Sequence, residues 1–336
     1  MRVAELKSNQ RVEPKLIQRS CPVCDSARYQ PLIELRRDDF VLVNPDYDLA
    51  QIEAMGFNPD DIFHIVRCEE CGFQYSLHQL SAALTTHLYE KAIDHEKSRA
   101  KIFSLKKRLA LMEVWFNLFA LAADNAGESL DLTVLDYGCG WGDFLAVAQA
   151  PGIRCVGFEV DPCKIAWAHG MGLRVVDCED EIDDESPFKV IFCNQVLEHL
   201  NDPGSVVEKL SRWLRPGGYG YVAVPNSSEE FIRHVQDLLS RGQPIPKEIN
   251  PWEHLNYFTP QSLTTMLERY GLKIVQIPYE CITLPVSDIG LRQAWREQRI
   301  LIGRVIRRLT RRWCKPRNCG KTVPSTIAVY VRKRCV

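Results

Sequence analysis

The sequence lacks the features that mark several large classes of protein. Its 336 residues carry 42 Lys and Arg against 43 Asp and Glu, so a net charge of −1 gives no general attraction to nucleic acid. No apolar run approaches the roughly 20 residues needed to span a bilayer. No basic stretch followed by an apolar one marks a secretion signal. With a hydrophobic content of 46%, the chain is expected to be a globular protein of the cytoplasm.

Thirteen cysteines are present, and in a reducing compartment they are expected to be thiols or metal ligands. Four of them form two Cys-x-x-Cys pairs, Cys21 and Cys24 in "CPVCD" and Cys68 and Cys71 in "CEECG". Two such turns supply the four sulfurs of a tetrahedral structural zinc site. About 43 residues separate the pairs, so a loop or subdomain is expected between them. The alternative is two unrelated buried or redox-active pairs.

The remaining pattern divides the chain into three parts. Residues 1–80 are predicted to form the zinc-binding module with its inserted loop. Apolar residues at helical spacing from Ser81 to Ala123 predict two helices, and residues 81–128 are interpreted as a helical linker. Strands and helices alternate from Leu132 onward, so residues 129–336 are predicted to form an α/β domain with a doubly wound, mostly parallel sheet.

A glycine-rich turn follows the first strand of that domain, in "VLDYGCGWGDF". The spacing of Gly138, Gly140 and Gly142 differs from the G-x-G-x-x-G of dinucleotide sites, and the turn lacks the Lys or Arg that would meet a pyrophosphate. Asp136 before the turn favours a ligand with cationic groups, and Glu159 after the next strand is placed to accept ribose hydroxyls. The combination predicts a site for S-adenosylmethionine. A structural turn without a ligand is the alternative.

The motifs between Leu132 and Pro278 resemble those of class I S-adenosylmethionine-dependent methyltransferases. They are the glycine turn, Glu159, "FKVIFCNQVLEHLNDP" and "LRPGGYGYVAVPN". The cysteine pairs and "EHLNYFTPQSLTTMLERYGLKIV" are also similar to the sugar C-methyltransferases. The resemblance implies a Rossmann-like seven-stranded sheet and methylation of a small molecule, a nucleotide-linked or lipid-linked sugar. Lys189 departs from the family, in which Asp usually precedes the fourth strand.

The resemblance also implies how the cofactor is held. Asp136 and the three glycines match the residues that bind the methionine part, and Glu159 matches the residue that binds the ribose. Asn194 ends the fourth strand and is expected to border the sulfonium. An ordinary turn residue is the alternative for Asn194.

Methyl transfer is an in-line displacement, so alignment of acceptor and sulfonium supplies much of the catalysis. A neutral hydroxyl or a carbon acid also needs a base. His254, preceded by Glu253 in "PWEHLNYF", matches a Glu-His pair implicated in proton abstraction in the sugar C-methyltransferases. His199 in "VLEHL" is a second candidate. A structural histidine is the alternative at both positions.

An unusual insert is expected at about residues 286–322, before the final strand. Its basic residues flank one apolar helical face, formed by Leu291, Trp295, Gln298, Ile302, Val305, Leu309 and Trp313. Three interpretations stay open: a helix packed on the domain, a lid whose arginines meet substrate phosphates, or an interfacial helix on an anionic membrane.

A second functional hypothesis is an RNA-binding methyltransferase, or a nucleic-acid-binding protein that senses the cofactor. The region of the cysteine pairs is rich in Asp and Glu, and the sequence contains no aromatic and basic RNA-binding motif. A sugar-containing small molecule is therefore the expected partner, and no nucleic acid is expected.

Overall fold

The computed structural model describes residues 14–100, 104–123, 132–149, 153–276 and 326–334. Its N-terminal part surrounds the two cysteine pairs, and we call residues 14–80 the cysteine module. The elements of the module are β1 (Leu16–Gln18), β2 (Tyr29–Arg36), α1 (Arg37–Val41), α2 (Leu49–Ala54), β3 (Ile62–Cys68), β4 (Gln74–Ser76) and β5 (His78–Leu80).

The hairpin of β2 and β3 explains the long gap between the cysteine pairs. The strands pair antiparallel from Tyr29 opposite Cys68 to Arg36 opposite Ile62. Strand β2 therefore leads away from the first cysteine pair, and β3 brings the chain back to it at the second pair. The helices α1 and α2 fill the far end of the hairpin, where the Phe40 ring is fully buried. The expected insertion is therefore a folded hairpin with two short helices.

The helical linker is more broken than its sequence pattern predicts. It contains α3 (Ala82–His87), a π-helical turn (Leu88–Ala92), α4 (His95–Ala100) and α5 (Leu105–Ala123). The prediction of two helices is wrong for the described residues because Ile93 leaves the helix to form a β-bridge with Tyr47. Beside that bridge, the backbone N–H of Asp94 donates to the carbonyl of Asp46 at 2.7 Å. This bend docks the linker on the cysteine module.

Strands and helices alternate through the rest of the described chain. They are β6 (Thr133–Tyr137), α6 (Asp143–Gln149), β7 (Arg154–Phe158), α7 (Pro162–Gly170), β8 (Val175–Val176), α8 (Glu179–Glu185), β9 (Phe188–Asn194), a 3-10 turn (Leu197–His199), α9 (Pro203–Trp213), β10 (Leu214–Pro225), α10 (Glu229–Ser240), β11 (Asn256–Tyr257), α11 (Pro260–Arg269), β12 (Leu272–Val275) and β13 (Thr326–Lys333).

Seven strands form the central sheet in the order β12-β13-β10-β9-β6-β7-β8. The strands from β10 to β8 are parallel, and β13 runs antiparallel to both of its neighbours. The predicted doubly wound, mostly parallel sheet is confirmed. The chain proceeds from β6 to β7 and β8 on one side and then from β9 to β10 on the other. This change of direction between β6 and β9 is where such sheets bind ligands.

The cysteine module is continuous with the α/β domain. Strand β11 pairs with β4 of the module and so completes a second, four-stranded sheet in the order β11-β4-β3-β2. The buried side chains of Phe73 and Tyr75 share one hydrophobic cluster with Leu197, Phe258 and Leu263. The loop that carries the predicted base therefore lies between the module and the central sheet.

Some sequence predictions concern residues outside the described ranges. They include the break near residues 124–131 and the basic insert at about 286–322. The domain bounds of 1–80, 81–128 and 129–336 stay a prediction. Among the helices of the described ranges, none has both the length and the apolar character that crossing a lipid bilayer requires.

Candidate active site

The glycine turn begins where β6 leaves the core. All five residues of β6 are buried, and the chain then turns through three glycines with positive φ: 74° at Gly138, 56° at Gly140 and 84° at Gly142. Side chains other than glycine rarely adopt this left-handed conformation. The three glycines are thus required by the backbone path into α6.

Only one of these glycines borders free space. A Cβ atom on Gly138 would lie 2.4 Å from Val196 Cγ2, and one on Gly142 would lie 2.5 Å from Leu173 Cδ1. A Cβ on Gly140 would meet no atom within 4 Å. Gly138 and Gly142 therefore allow close packing, whereas Gly140 presents bare backbone to open space.

Glu159 holds the turn against the end of β7. Its Oε2 accepts the N–H of Gly140 at 2.9 Å, and its Oε1 accepts the N–H groups of Val160 and Asp161 at 2.8 and 3.0 Å. Since a carboxylate offers about four acceptor positions, Oε2 retains one for a ribose hydroxyl. The sequence predicted the ribose contact and missed the contact with the turn.

Asp136 lies beneath the turn with 2% of its surface exposed. Burial, followed by the charges of Asp143 and Glu159, raises its pKa well above the usual range for a carboxyl group. A cationic ligand would relieve both causes because it replaces lost hydration with an opposite charge. The site therefore fits an ammonium or sulfonium group, as the sequence predicts.

Helix α4 covers the turn from the linker side. The indole Nε1 of Trp141 donates to Ser98 Oγ at 3.2 Å. The same indole lies edge-on to the rings of His95, at 5.8 Å between centroids, and Trp167, at 6.3 Å. No motif in the linker announces this contact, so the sequence analysis missed it.

Asn194 stands at the carboxyl end of β9, half-buried. Its neighbour Cys193 is in register with Tyr137, the last residue of β6. The chain then turns through Gln195, whose φ is +59°, and Val196 packs under Gly138. Asn194 thus borders the glycine turn from the adjacent strand.

The structure brings together the two histidines that the sequence singled out. Their ring centroids are 4.9 Å apart and the rings are nearly perpendicular. His199 Nδ1 bonds the backbone carbonyl of Glu253 at 2.9 Å, and His254 Nδ1 bonds that of Glu248 at 2.7 Å. Burial is the main cause that lowers the pKa of His254 and lowers that of His199 to about 3. Both imidazoles are therefore neutral at pH 7.

The carboxylate of Glu253 has partners other than the His254 ring. Its Oε1 accepts from Tyr47 Oη at 2.5 Å, Asn250 Nδ2 at 2.9 Å and Asn44 Nδ2 at 3.1 Å. In this structure the carbonyl of Glu248, and not the carboxylate of Glu253, holds the His254 ring. Glu253 instead ties its loop to the insertion of the cysteine module.

Two groups of this region were not predicted as site residues. Glu198 has no exposed surface, and burial raises its pKa to about 8. Tyr89 lies in the π-helical turn, where burial and the charges of Glu253, Glu198 and Glu159 raise its pKa above the usual range. The charges of Glu159 and of the two glutamates next to the histidines thus all act on Tyr89. Glu198 lies in the motif "VLEHL", next to a histidine that the sequence singled out, whereas Tyr89 lies in no motif and only the fold places it here.

The four cysteines form a compact group at the open end of the β2–β3 hairpin, where β2 begins and β3 ends. Sγ of Cys21 lies 3.5 Å from that of Cys71, and Sγ of Cys24 lies 3.5 Å from that of Cys68. All four sulfurs are within 4.8 Å of one another. Sulfurs bound at about 2.3 Å to a tetrahedral zinc ion are about 3.8 Å apart, so the group fits such an ion.

Comparison with known proteins identifies the domain around the glycine turn. Residues 96–277 match the family described as "Methyltransferase domain". The chain belongs to this family. It is an S-adenosylmethionine-dependent methyltransferase, and the glycine turn, Asp136 and Glu159 form its candidate cofactor site.

Relatives of this methyltransferase match it over part of their length. A ubiquinone biosynthesis O-methyltransferase of Colwellia psychrerythraea is 24% identical over 173 residues, 48% of this chain and 70% of that protein. The protein of that name from Serratia proteamaculans is 29% identical over 110 residues, 30% of this chain and 46% of that protein. The structure of a 1,6-didemethyltoxoflavin-N1-methyltransferase from Burkholderia thailandensis has 16% identity and a TM-score of 0.42, covering 81% of this chain and 96% of that one.

Proposed function

We propose that the enzyme methylates a small molecule bound between the glycine turn and the two histidines. The observation that carries the proposal is the convergence of His199 and His254, whose ring centroids are 4.9 Å apart, next to a buried Tyr89 on which the charges of Glu198, Glu253 and Glu159 all act. Cofactor and acceptor would then meet at the carboxyl ends of β6 and β9. We place the reaction in the cytoplasm, in agreement with free thiols at all the described cysteines.

In this proposal, separate residues of the chain bind the cofactor and accept the proton of the acceptor. Asp136 and the backbone at Gly140 hold the methionine part, Glu159 holds the ribose, and Asn194 borders the sulfonium. S-adenosylmethionine supplies an electrophilic methyl group on its cationic sulfur. His254 accepts the proton that the acceptor oxygen or carbon loses as it gains the methyl group. This requires a free lone pair on Nε2, which the bond of Nδ1 to a carbonyl provides.

The acceptor class is inferred from the pocket and from the resemblance of its motifs. The carboxyl group of Glu198 and the imidazoles of His199 and His254 lie together, and such polar groups suit an acceptor with several hydroxyl groups. The motif around His254 favours a nucleotide-linked or lipid-linked sugar, methylated on carbon or oxygen. The names of the Colwellia and Serratia relatives favour a second candidate, the hydroxyl group of a hydroxylated ring.

We also propose that Cys21, Cys24, Cys68 and Cys71 hold one zinc ion. The support is the near-tetrahedral spacing of their sulfurs. In this position the ion would act on folding, since it fastens the open end of the hairpin whose far end reaches Tyr47 and the loop of His254.

The experiment for the proposed function uses cofactor labelled in the methyl group. The purified enzyme is mixed with it and, separately, with pools of nucleotide sugars, hydroxylated aromatic compounds and RNA, and products are identified by mass spectrometry. Label in a sugar or a ring supports the corresponding candidate. Label in RNA alone supports the nucleic-acid hypothesis and contradicts the small-molecule proposal.

His254→Ala provides the matched test of the base. It should reduce turnover by roughly 10²- to 10⁴-fold and leave cofactor affinity near that of the wild type. A fully active variant would remove His254 from the proposed mechanism.

A further inference from the structure

Three groups with lone pairs converge on the acceptor side of the site. They are the carboxylate of Glu198 and the imidazole rings of His199 and His254. Their potential ligand atoms all lie within 4.8 Å of one another, and His199 Nε2 is 3.8 Å from Glu198 Oε1. Two imidazoles and one carboxylate at this spacing form a common set of ligands for divalent transition metals.

The hydrogen bonds of the rings determine which nitrogen keeps a lone pair. A backbone carbonyl only accepts, so Nδ1 of each neutral ring must carry the proton it donates to Glu253 or Glu248. Nε2 of each ring is then unprotonated and is the nitrogen that can bind an ion. Metal-binding histidines are typically oriented in this way, by a bond from the second ring nitrogen to a carbonyl or carboxylate.

Glu198 provides an independent observation. Its side chain is fully buried, and neither carboxylate oxygen has a hydrogen-bond partner within the described parts of the chain. A buried acceptor without a partner is costly. A proton shared between Glu198 and one imidazole would leave the other imidazole without a partner. A single cation would satisfy all three groups.

We propose that Glu198, His199 and His254 bind a divalent cation such as Mn²⁺, Fe²⁺ or Zn²⁺. Three protein ligands leave coordination positions open, and these would take oxygen atoms of the acceptor. The inference rests on the proposed function, because the ion lies where the acceptor is expected. In the ion-bound enzyme the Nε2 lone pair of His254 would be a ligand, so the ion would take over the task of the free base: it would lower the pKa of a bound acceptor hydroxyl, whose proton would pass to solvent water.

The test uses Mn²⁺, which prefers carboxylate and imidazole over the thiolates of the cysteine group. Full-length enzyme with its cysteine group intact is titrated with Mn²⁺ by calorimetry and electron paramagnetic resonance. We expect one Mn²⁺ per chain and at least tenfold weaker binding in Glu198→Gln and in His254→Asn. His234→Asn, at an exposed position on α10, should bind Mn²⁺ as the wild type does.

Affinity for S-adenosylhomocysteine, measured on the same samples, separates the two proposals. The cation site is overturned if the wild-type enzyme binds the cofactor normally but takes up no Mn²⁺ or Zn²⁺ beyond what the cysteine group holds. His254 would then remain the free base. Mn²⁺ affinity that both variants retain would also overturn it. A wild-type enzyme that does not bind S-adenosylhomocysteine would instead contradict the proposed function. If one of the two variants, Glu198→Gln or His254→Asn, fails to bind the cofactor, the other variant is used for the test.

Discussion

At the scale of the residue, two glycines of the turn differ in role: Gly138 allows close packing, and Gly140 leaves room for a ligand. Gly138 and Gly140 both have positive φ, yet an added Cβ meets Val196 at the first and open space at the second. Val196 is β-branched and cannot easily turn aside. The same substitution should therefore have different effects at two positions that sequence alone makes equivalent.

Gly140→Ala should weaken S-adenosylmethionine binding at least tenfold, because the methyl group enters the volume assigned to the cofactor. The left-handed backbone should cost about 1–2 kcal/mol of stability. Gly138→Ala carries the same backbone cost and a clash, so it should unfold at a lower temperature than Gly140→Ala. Calorimetric titration and thermal melts of both variants check this. Equal cofactor affinity in Gly140→Ala and the wild type would place the cofactor elsewhere.

Asp136 predicts a pH dependence of cofactor binding. The carboxylate form attracts the cationic ligand, and burial with nearby acids raises its pKa, so neutralisation by protons begins at a higher pH than for an ordinary Asp. Affinity should therefore fall as pH decreases from 7 to 5, by up to about tenfold per unit below the pKa. Asp136→Asn should bind weakly with a flatter profile. Equal pH profiles for the two proteins would remove Asp136 from this role.

At the scale of the element, the insertion of the cysteine module supports the loop that carries His254. Tyr47 donates to Glu253 and accepts from Asn250 at 2.7 Å. Trp252 of the same loop packs against the rings of Phe40 and Phe57, with centroids 5.1 and 5.2 Å away. The sequence separates these groups by about 200 residues, so no local pattern could predict that they meet.

Tyr47→Phe removes the hydroxyl and leaves buried polar groups unpaired. It should lower the free energy of unfolding by about 1–3 kcal/mol and reduce turnover, with cofactor affinity unchanged. Tyr75→Phe is the matched control, since that buried hydroxyl has no hydrogen-bond partner among the described residues and its loss should be neutral or stabilising. Denaturant titration of both variants measures the difference. Equal stability changes would refute the network.

Cys68→Ser tests the metal of the cysteine module. The variant should lose zinc by elemental analysis and at least about 3 kcal/mol of stability, because a structural ion contributes directly to folding. Cys178→Ser replaces an exposed free thiol and should retain both. Folded, reductively purified wild type without metal would contradict the zinc proposal.

The elements also show how far the sequence could be interpreted. Buried runs such as "TVLDY" and "FKVIFCN" predict parallel strands because both faces of the sheet are covered, and β6 and β9 confirm this. The glycine turn around Gly140 could also be predicted, because it depends only on residues that are adjacent in sequence. By contrast, the break at Ile93 and the place of β11 in the second sheet depend on pairing with residues distant in sequence. The contact of Glu253 with Tyr47 was out of reach for the same reason.

At the scale of the whole molecule, the cysteine module and the α/β domain enclose the site from two sides. The central sheet contributes the turn and Glu159, and the module supports the loop of His254 through β11 and Tyr47. Damage to the module should therefore affect the acceptor side before the cofactor side. The account as a whole depends on the identity of the ligand at the glycine turn.

Calorimetric titration of the full chain with S-adenosylmethionine, and separately with NAD, tests that identity most directly. We expect one site with micromolar affinity for S-adenosylmethionine, on the order of −7 to −8 kcal/mol. Glu159→Ala should weaken it at least tenfold, while Asp180→Ala, at an exposed position of α8, should not change it. Tighter binding of NAD, or unchanged affinity in Glu159→Ala, would contradict the account.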